Sequence, residues 1–110
     1  MRGLILGLAA LVVTSPFARA GDSTAGRTVM VKCQSCHGND GLGRALPVGG
    51  EAPNIAGQKY DYLVHSLMAY KAGERKSPNM AAAVKGLSDE DMANVAAYYA
   101  AIKIIVEVPQ

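Results

Sequence analysis

The stretch Cys33-Gln34-Ser35-Cys36-His37 carries the strongest chemical signal in this sequence of 110 residues. On a helical turn, residues i and i+3 face the same way, so both thiols can add to the two vinyl groups along one edge of a porphyrin. The next residue, His37, is then held beneath the iron as its proximal ligand. Cys-x-x-Cys-His therefore predicts the covalent attachment of one c-type haem.

The same two cysteines allow three other interpretations. A disulfide between Cys33 and Cys36 would close a very small loop and stabilise the fold little. A thioredoxin-like dithiol normally lies in a β-α-β setting, and the sequence shows no such alternation. A zinc site needs four ligands, and the adjacent Cys36 and His37 cannot easily share one tetrahedral ion. Haem attachment remains the preferred interpretation.

The first twenty residues have the pattern of an export signal. Arg2 supplies positive charge, an apolar run covers residues 4–13, and Ala18-Arg19-Ala20 is a small-x-small cleavage site. The run is shorter than the roughly twenty residues of a membrane-spanning helix. We therefore expect a secretory signal peptide over residues 1–20, cleaved after Ala20, and one periplasmic domain over residues 21–110 with no stable membrane span.

Removal of this segment changes the charge balance. The full sequence has 11 lysines and arginines against 9 aspartates and glutamates, and cleavage removes Arg2 and Arg19 but no acid. The mature polypeptide is then formally neutral, and two haem propionates would make the loaded protein mildly acidic. No basic stripe survives, which argues against a nucleic-acid partner.

The mature chain is also poor in large apolar side chains. It contains no Trp, and the one Phe of the sequence, Phe17, belongs to the signal segment. A domain of this size buries a modest fraction of its surface and usually needs a metal, a cofactor or disulfides for stability. A large apolar cofactor would supply the missing interior.

Three helices are predicted between glycine- and proline-rich stretches. The first extends from about Ser23 to Cys33, and the second from about Gln58 to Ala72, ahead of a glycine suited to a left-handed C-cap. The third begins after Ser88, whose hydroxyl can cap the amide of Asp91. Its predicted buried stripe consists of Met92, Val95, Ala96 and Tyr99.

The remaining stretches are expected to be irregular. Residues 38–57 contain six glycines and two prolines, and residues 74–86 contain Pro78 and Met80. The apolar tail Ile104-Ile105-Val106 allows either a strand-like segment or packing against the domain.

The sixth ligand of the iron is expected from one of these irregular stretches. Met80 follows Pro78 and Asn79, as in a chain segment that crosses the far face of a haem. The other mature methionines, at positions 30, 68 and 92, lie in helical stripes or flanks, where methionine usually packs. His65 is the rival ligand, but its place in the middle of a helix favours the surface.

A second interaction is expected on the histidine side. A haem-ligating histidine donates its other ring N–H to a carbonyl or carboxylate, which fixes the tautomer. The backbone carbonyl of Pro47 is the first candidate acceptor for His37, and that of Pro53 is the alternative.

Taken together, these residues resemble the small class I c-type cytochromes of bacteria over nearly all of residues 22–102. Beyond the cysteine motif, the resemblance is carried by Pro53-Asn54-Ile55-Ala56-Gly57-Gln58, Tyr62-Leu63, Leu67, Tyr70-Lys71-Ala72-Gly73, Arg75, Met80, Leu87-Ser88-Asp89-Glu90-Asp91 and Ala96-Ala97-Tyr98-Tyr99. It implies an all-α cytochrome c fold, with three main helices and loops wrapped around one covalently attached haem. It further implies haem thioethers on Cys33 and Cys36, and His37 and Met80 as axial iron ligands. Gly26 should meet Tyr98 or Tyr99 where the first and last helices cross.

A six-coordinate haem leaves no open position for a substrate, so the sequence predicts a one-electron carrier of a respiratory chain and not an enzyme. Thioether ligation would raise its reduction potential. Its partners would be a donor and an acceptor protein, meeting an apolar patch at residues 81–84 with Lys32, Lys76 and Lys85 around it. The alternative is the haem subunit of a larger dehydrogenase, for example a flavocytochrome c sulfide dehydrogenase. A ligand-binding or sensing haem, with Met80 displaced, is a third hypothesis.

Overall fold

The computed structural model describes Gly7, Leu11 and residues 20–110, so nearly all of the predicted signal segment lies outside the described residues. Five helices occur in the described part: α1 (Ser23–Met30), α2 (Gln34–His37), α3 (Tyr60–Ala72), α4 (Pro78–Val84) and α5 (Asp89–Ala100). An isolated antiparallel bridge joins Ala45 to Glu51, and these residues form no longer strand. None of the described helices has both the length and the hydropathy needed to cross a bilayer. The all-α prediction is confirmed.

Local signals explain where most helices begin and end. The Asp22 carboxylate accepts the Thr24 amide at 2.8 Å at the start of α1. At the start of α5, Ser88 and Asp91 form a reciprocal capping box, as the sequence predicted for Ser88. Gly73 ends α3 with a φ of 75°, which confirms the predicted left-handed cap.

Two predictions about the helices were wrong: the end of the first helix and the irregular structure of residues 74–86. The first helix ends at Met30, three residues before Cys33, because the chain tightens there: Lys32 and Cys33 donate to carbonyls only three residues back, at 3.0 and 2.8 Å. The predicted irregular stretch 74–86 contains α4. The Ser77 hydroxyl accepts an amide of the first turn of α4, and a proline occupies the first position of that helix, a pairing that favours helix initiation.

The core lies where α1, α3 and α5 meet. Its buried members are Val29, Leu63, Val84, Leu87, Met92, Val95, Ala96 and Tyr99. The last four form the whole stripe that was predicted for the last helix. Gly26 lies directly against α5, and a Cβ atom there would come within 2.8 Å of the Tyr98 Cβ atom. The crossing implied by the resemblance is therefore present, with Tyr98 as the partner.

The C-terminal tail forms no regular structure after Ala101. Ile104 is half exposed and lies beside Gly57, whereas Ile105 is 93% exposed. Of the two alternatives for the tail, packing against the domain applies to Ile104, and the residues that follow remain exposed.

Candidate functional site

The two cysteines lie at the start of the short helix α2. Cys33 is its N-cap residue, and the Cys33 carbonyl accepts the amides of Cys36 and His37 at 3.2 and 2.9 Å. This single turn places the two thiols on one side of the chain, as their spacing predicted. Both thiols are free and half-buried, so no disulfide joins them.

His37 is buried, and its ring forms a hydrogen bond with the loop that follows. Its Nδ1 atom lies 2.9 Å from the Pro53 carbonyl oxygen. A carbonyl can only accept, so Nδ1 carries the proton and Nε2 retains its lone pair. The histidine therefore keeps one nitrogen available as a ligand.

The acceptor is Pro53, and the first candidate, Pro47, was wrong. The Ala45–Glu51 bridge and the Gly49 amide, which donates to the Leu46 carbonyl at 3.0 Å, close residues 46–50 into a turn in which Pro47 is exposed. Pro53, which follows this turn, is the proline that reaches the buried His37 ring.

Met80 lies on α4, in its first turn, and its amide donates to the Ser77 hydroxyl at 3.2 Å. Its side chain is half-buried and lines the same cavity as the two cysteines and His37. The other described methionines do not line this cavity: Met92 is in the core, and Met30 and Met68 pack against it. His65 is exposed and also lies outside the lining.

The cavity has a volume of about 380 Å³ and is bounded by the loop 38–57, by α2 to α5 and by Lys32 and Cys33 ahead of α2. Its apolar lining residues are Leu46, Ala52, Pro53, Ile55, Leu63, Leu67, Ala83, Val84, Leu87, Val95 and Ala96. A polar row completes the wall: Asn54, Gln58, Tyr62, Ser66, Tyr70, Arg75, Ser77 and Asn79. The structure thus brings together every site residue that the sequence predicted, in a mainly apolar space.

The thiol end of the cavity is poorly solvated. Burial, reinforced by the neighbouring Cys36, raises the pKa of the Cys33 thiol to about 11 despite the nearby Lys32. Burial likewise raises the pKa of Tyr99, whose hydroxyl donates to the Gly38 carbonyl at 2.8 Å. Such an environment favours uncharged groups and an apolar occupant.

The sequence interpretation assigned no role at the site to the three members of this polar row that lie on α3. Tyr62, Ser66 and Tyr70 recur every fourth residue, and Arg75 folds back onto them. The spacing placed all three on one helical face, but the sequence could not indicate that this face borders the cavity.

The donor set fits a covalently attached haem. Two free thiols three residues apart, an imidazole with a free Nε2 atom and a thioether share one apolar cavity. No group of three or more His, Cys, Asp or Glu side chains within residues 20–110 is arranged to hold a bare metal ion. When bound, the haem supplies reversible one-electron chemistry at its iron.

Comparison with known proteins agrees with this fit. The family model for cytochrome c matches residues 23–102. Cytochrome c-554(548) of Halomonas halodenitrificans is 47% identical over 83 residues, which cover 73% of this chain and 95% of the relative. Cytochrome c4 of Pseudomonas aeruginosa is 38% identical over 79% of this chain, which spans only 41% of that longer protein.

A third relative belongs to a dehydrogenase. The cytochrome subunit of sulfide dehydrogenase from Chlorobaculum tepidum is 30% identical over 74 residues, covering 67% of this chain and 63% of the relative. The family match covers the cysteine motif, all five helices and Met80. The chain therefore belongs to the cytochrome c family, whose members carry electrons on a covalently bound haem c.

Proposed function

We propose that this protein is a periplasmic one-electron carrier, with haem thioethers on Cys33 and Cys36 and with His37 and Met80 as axial ligands. The observation that carries the proposal is the convergence of these four side chains on one apolar cavity. With both axial positions filled, the iron would have no place for a substrate. The protein would therefore exchange electrons with a donor and an acceptor without catalysing a reaction itself.

The residues around the cavity would have distinct tasks. The Pro53 carbonyl orients His37 and makes its Nε2 atom a stronger electron-pair donor to the iron. The apolar lining excludes water, which disfavours the more highly charged oxidised state and, together with a thioether ligand, raises the reduction potential. Of the apolar patch predicted over residues 81–84, Ala81 and Ala82 are exposed and would form part of the surface that partners contact, whereas Val84 is buried in the core. The three lysines predicted around it, Lys32, Lys76 and Lys85, are exposed.

The test is the absorption spectrum of the protein recovered from the periplasm. Covalent haem should remain with the polypeptide after acidic denaturing extraction, and the oxidised protein should show the sulfur-to-iron charge-transfer band of methionine ligation. Met80→Ala should abolish the band while the haem stays attached. The control is Met68→Ala, because Met68 is half-buried but does not line the cavity. Loss of the band in the control, or its persistence in Met80→Ala, would contradict the ligand assignment.

The export boundary after Ala20 is supported by the contacts of the next residues. Ala20 is exposed, whereas the Gly21 amide donates to the Tyr60 hydroxyl at 3.0 Å and the Asp22 amide donates to the Asn94 side chain at 2.9 Å. Gly21 and Asp22 thus both form hydrogen bonds to the domain. Intact-mass analysis of the periplasmic protein should give a chain that starts at Gly21, and a chain that retains residues 1–20 would refute the cleavage site.

A haem subunit of a larger dehydrogenase is the second candidate function. The similarity to a sulfide dehydrogenase cytochrome subunit and the exposed apolar side chains at positions 105, 106 and 108 favour it. A stable stoichiometric flavoprotein partner in a native extract would select this candidate over the free carrier. A ligand-binding haem would instead bind carbon monoxide readily when reduced, which a firmly held Met80 should prevent.

A further inference from the structure

The C-terminal tail, residues 103–110, is largely apolar and exposed. Among residues 20–110, the backbone of this tail forms no hydrogen bond, and the tail has no regular structure. Its β-branched side chains point largely into solvent: Ile105 is 93% exposed, Val108 is 77% exposed and Val106 is 75% exposed. Unpaired backbone N–H and C=O groups beside exposed β-branched side chains favour pairing with another strand.

The charges of the tail are complementary to those of a second copy. In an antiparallel pair centred on Ile105, Lys103 of each chain lies opposite Glu107 of the other. Opposite charges in directly facing positions stabilise such a pair, and this register forms two of them, one at each end. A parallel pair in register would instead place lysine opposite lysine and glutamate opposite glutamate. The tail is therefore suited to pair with its own copy in the antiparallel direction.

The same register also fits the apolar side chains. In a paired strand, side chains alternate between two faces, so Ile104, Val106 and Val108 share one face with Ile102. This face is turned towards the domain at Ile104, which lies beside Gly57. In the antiparallel pair, Val106 of the second copy lies opposite Ile104, and its Val108 lies opposite Ile102. The exposed valines of each tail would thus extend the apolar contact between the other tail and its domain.

The domain has a groove at the place where the second tail would arrive. The groove has a volume of about 200 Å³ and is lined by residues of α1 and the end of α5: Ser23, Thr24, Arg27, Tyr98, Ala101 and Ile102. Because Ile102 belongs to this lining, Val108 of the second copy would reach the rim of the groove. Pro109 follows and has no N–H to donate, so it ends the strand pairing there.

We propose that two copies of this chain associate through their tails, with residues 103–107 paired antiparallel about a two-fold axis at Ile105. Val108 of each copy lies against the groove of the other. The contact is isologous, because the same residues serve both copies, so it closes as a dimer and does not grow further. The groove shares no lining residue with the cavity that holds Cys33 and His37, so the dimer leaves that cavity uncovered.

The test is the mass of the periplasmic holoprotein in solution, measured by sedimentation over a range of concentrations. We expect a reversible dimer with a Kd of about 10–100 µM, since a contact of this small size is weak. Lys103→Glu replaces both opposite-charge pairs by like-charge pairs and should raise the Kd about tenfold. Lys103→Glu combined with Glu107→Lys restores opposite charges and should bring the Kd back to within about threefold of the wild type.

Lys85→Glu is the matched control, because Lys85 is exposed and lies outside the tail and the groove. It makes the same change of charge and should alter the Kd less than about threefold, since a distant exposed charge is screened. A wild type that stays monomeric at about 500 µM, or equal Kd values for Lys103→Glu and Lys85→Glu, would overturn the inference. A native complex in which a flavoprotein subunit covers the tail would overturn it as well.

Discussion

The crossing of α1 and α5 at Gly26 gives the sharpest prediction about the stability of this fold. A Cβ atom at this position would overlap the Asn94 carbonyl oxygen and come within 2.8 Å of both the Asn94 carbonyl carbon and the Tyr98 Cβ atom. These are atoms of, or directly attached to, the backbone of α5, so no side-chain rotation can relieve the overlap. In Gly26→Ala the two helices must move apart.

Two opposing terms determine the size of the effect. Alanine in place of glycine inside a helix favours α1 by about 1 kcal/mol. Overpacking costs about 1–3 kcal/mol or more. Separation of the helices also weakens the hydrogen bond from the Asp22 amide to the Asn94 side chain and exposes more of Val29, whose side chain is now only 9% exposed. With about 1 kcal/mol for the weakened hydrogen bond, we expect a net loss of about 1–3 kcal/mol in unfolding free energy, or about 4–24 °C in Tm for a domain of this size.

Thermal unfolding of the holoprotein, followed by circular dichroism and by haem absorbance, measures this loss. Gly86→Ala is the control, because a Cβ atom at position 86 would have no neighbour within 4 Å and the backbone there has no positive φ. The Tm of this variant should change little. A Gly26→Ala protein that melts within about 4 °C of the wild type, or no lower than Gly86→Ala, would refute the close-crossing argument.

Two further predictions concern the neighbourhood of the cavity. Burial raises the pKa of Tyr99, so its hydroxyl keeps its proton in the folded state above pH 10, whereas the unfolded chain loses this proton. The free energy of unfolding should therefore fall as the pH rises above 10, by up to about 1.4 kcal/mol per pH unit. Urea titrations at pH 8–11 should show this extra slope in the wild type but not in Tyr99→Phe, and equal slopes would contradict the assignment. Loss of the cap on the Met80 amide in Ser77→Ala should weaken the start of α4 by about 1 kcal/mol and raise the fraction of reduced protein that binds carbon monoxide about fivefold. Ser88→Ala, which removes a cap of the same kind from α5, should leave that fraction unchanged, and an equal rise in both variants would show that Ser77 has no specific effect on Met80.

Features encoded by residues close together in the chain were predictable. The capping box at Ser88, the left-handed cap at Gly73 and the buried stripe of α5 each depend on a spacing of at most four residues or on one backbone conformation. The spacing of Cys33, Cys36 and His37 belongs to the same class. Helix α4 differs from the predicted irregular stretch although Ser77 and Pro78 carry a local start signal, because a proline is compatible both with an irregular segment and with the first turn of a helix.

Features that depend on the path of a loop were not predictable. Pro47 and Pro53 are equivalent in sequence terms as carbonyl acceptors for the His37 ring N–H, and only the turn over residues 46–50 decides between them. The early end of α1 likewise follows from the tight turn that leads to Cys33.

The sequence by itself determined the chemistry of the site, since the order and spacing of two thiols, an imidazole and a later thioether are properties of the chain. Tertiary structure alone decided what surrounds those groups: which carbonyl orients His37, and that Arg75 returns to the rim of the cavity after the left-handed Gly73. The physical reason is range. A helical turn relates residues three or four apart, whereas the wall of a cavity joins residues dozens of positions apart, and their approach is set by the packing of the whole domain.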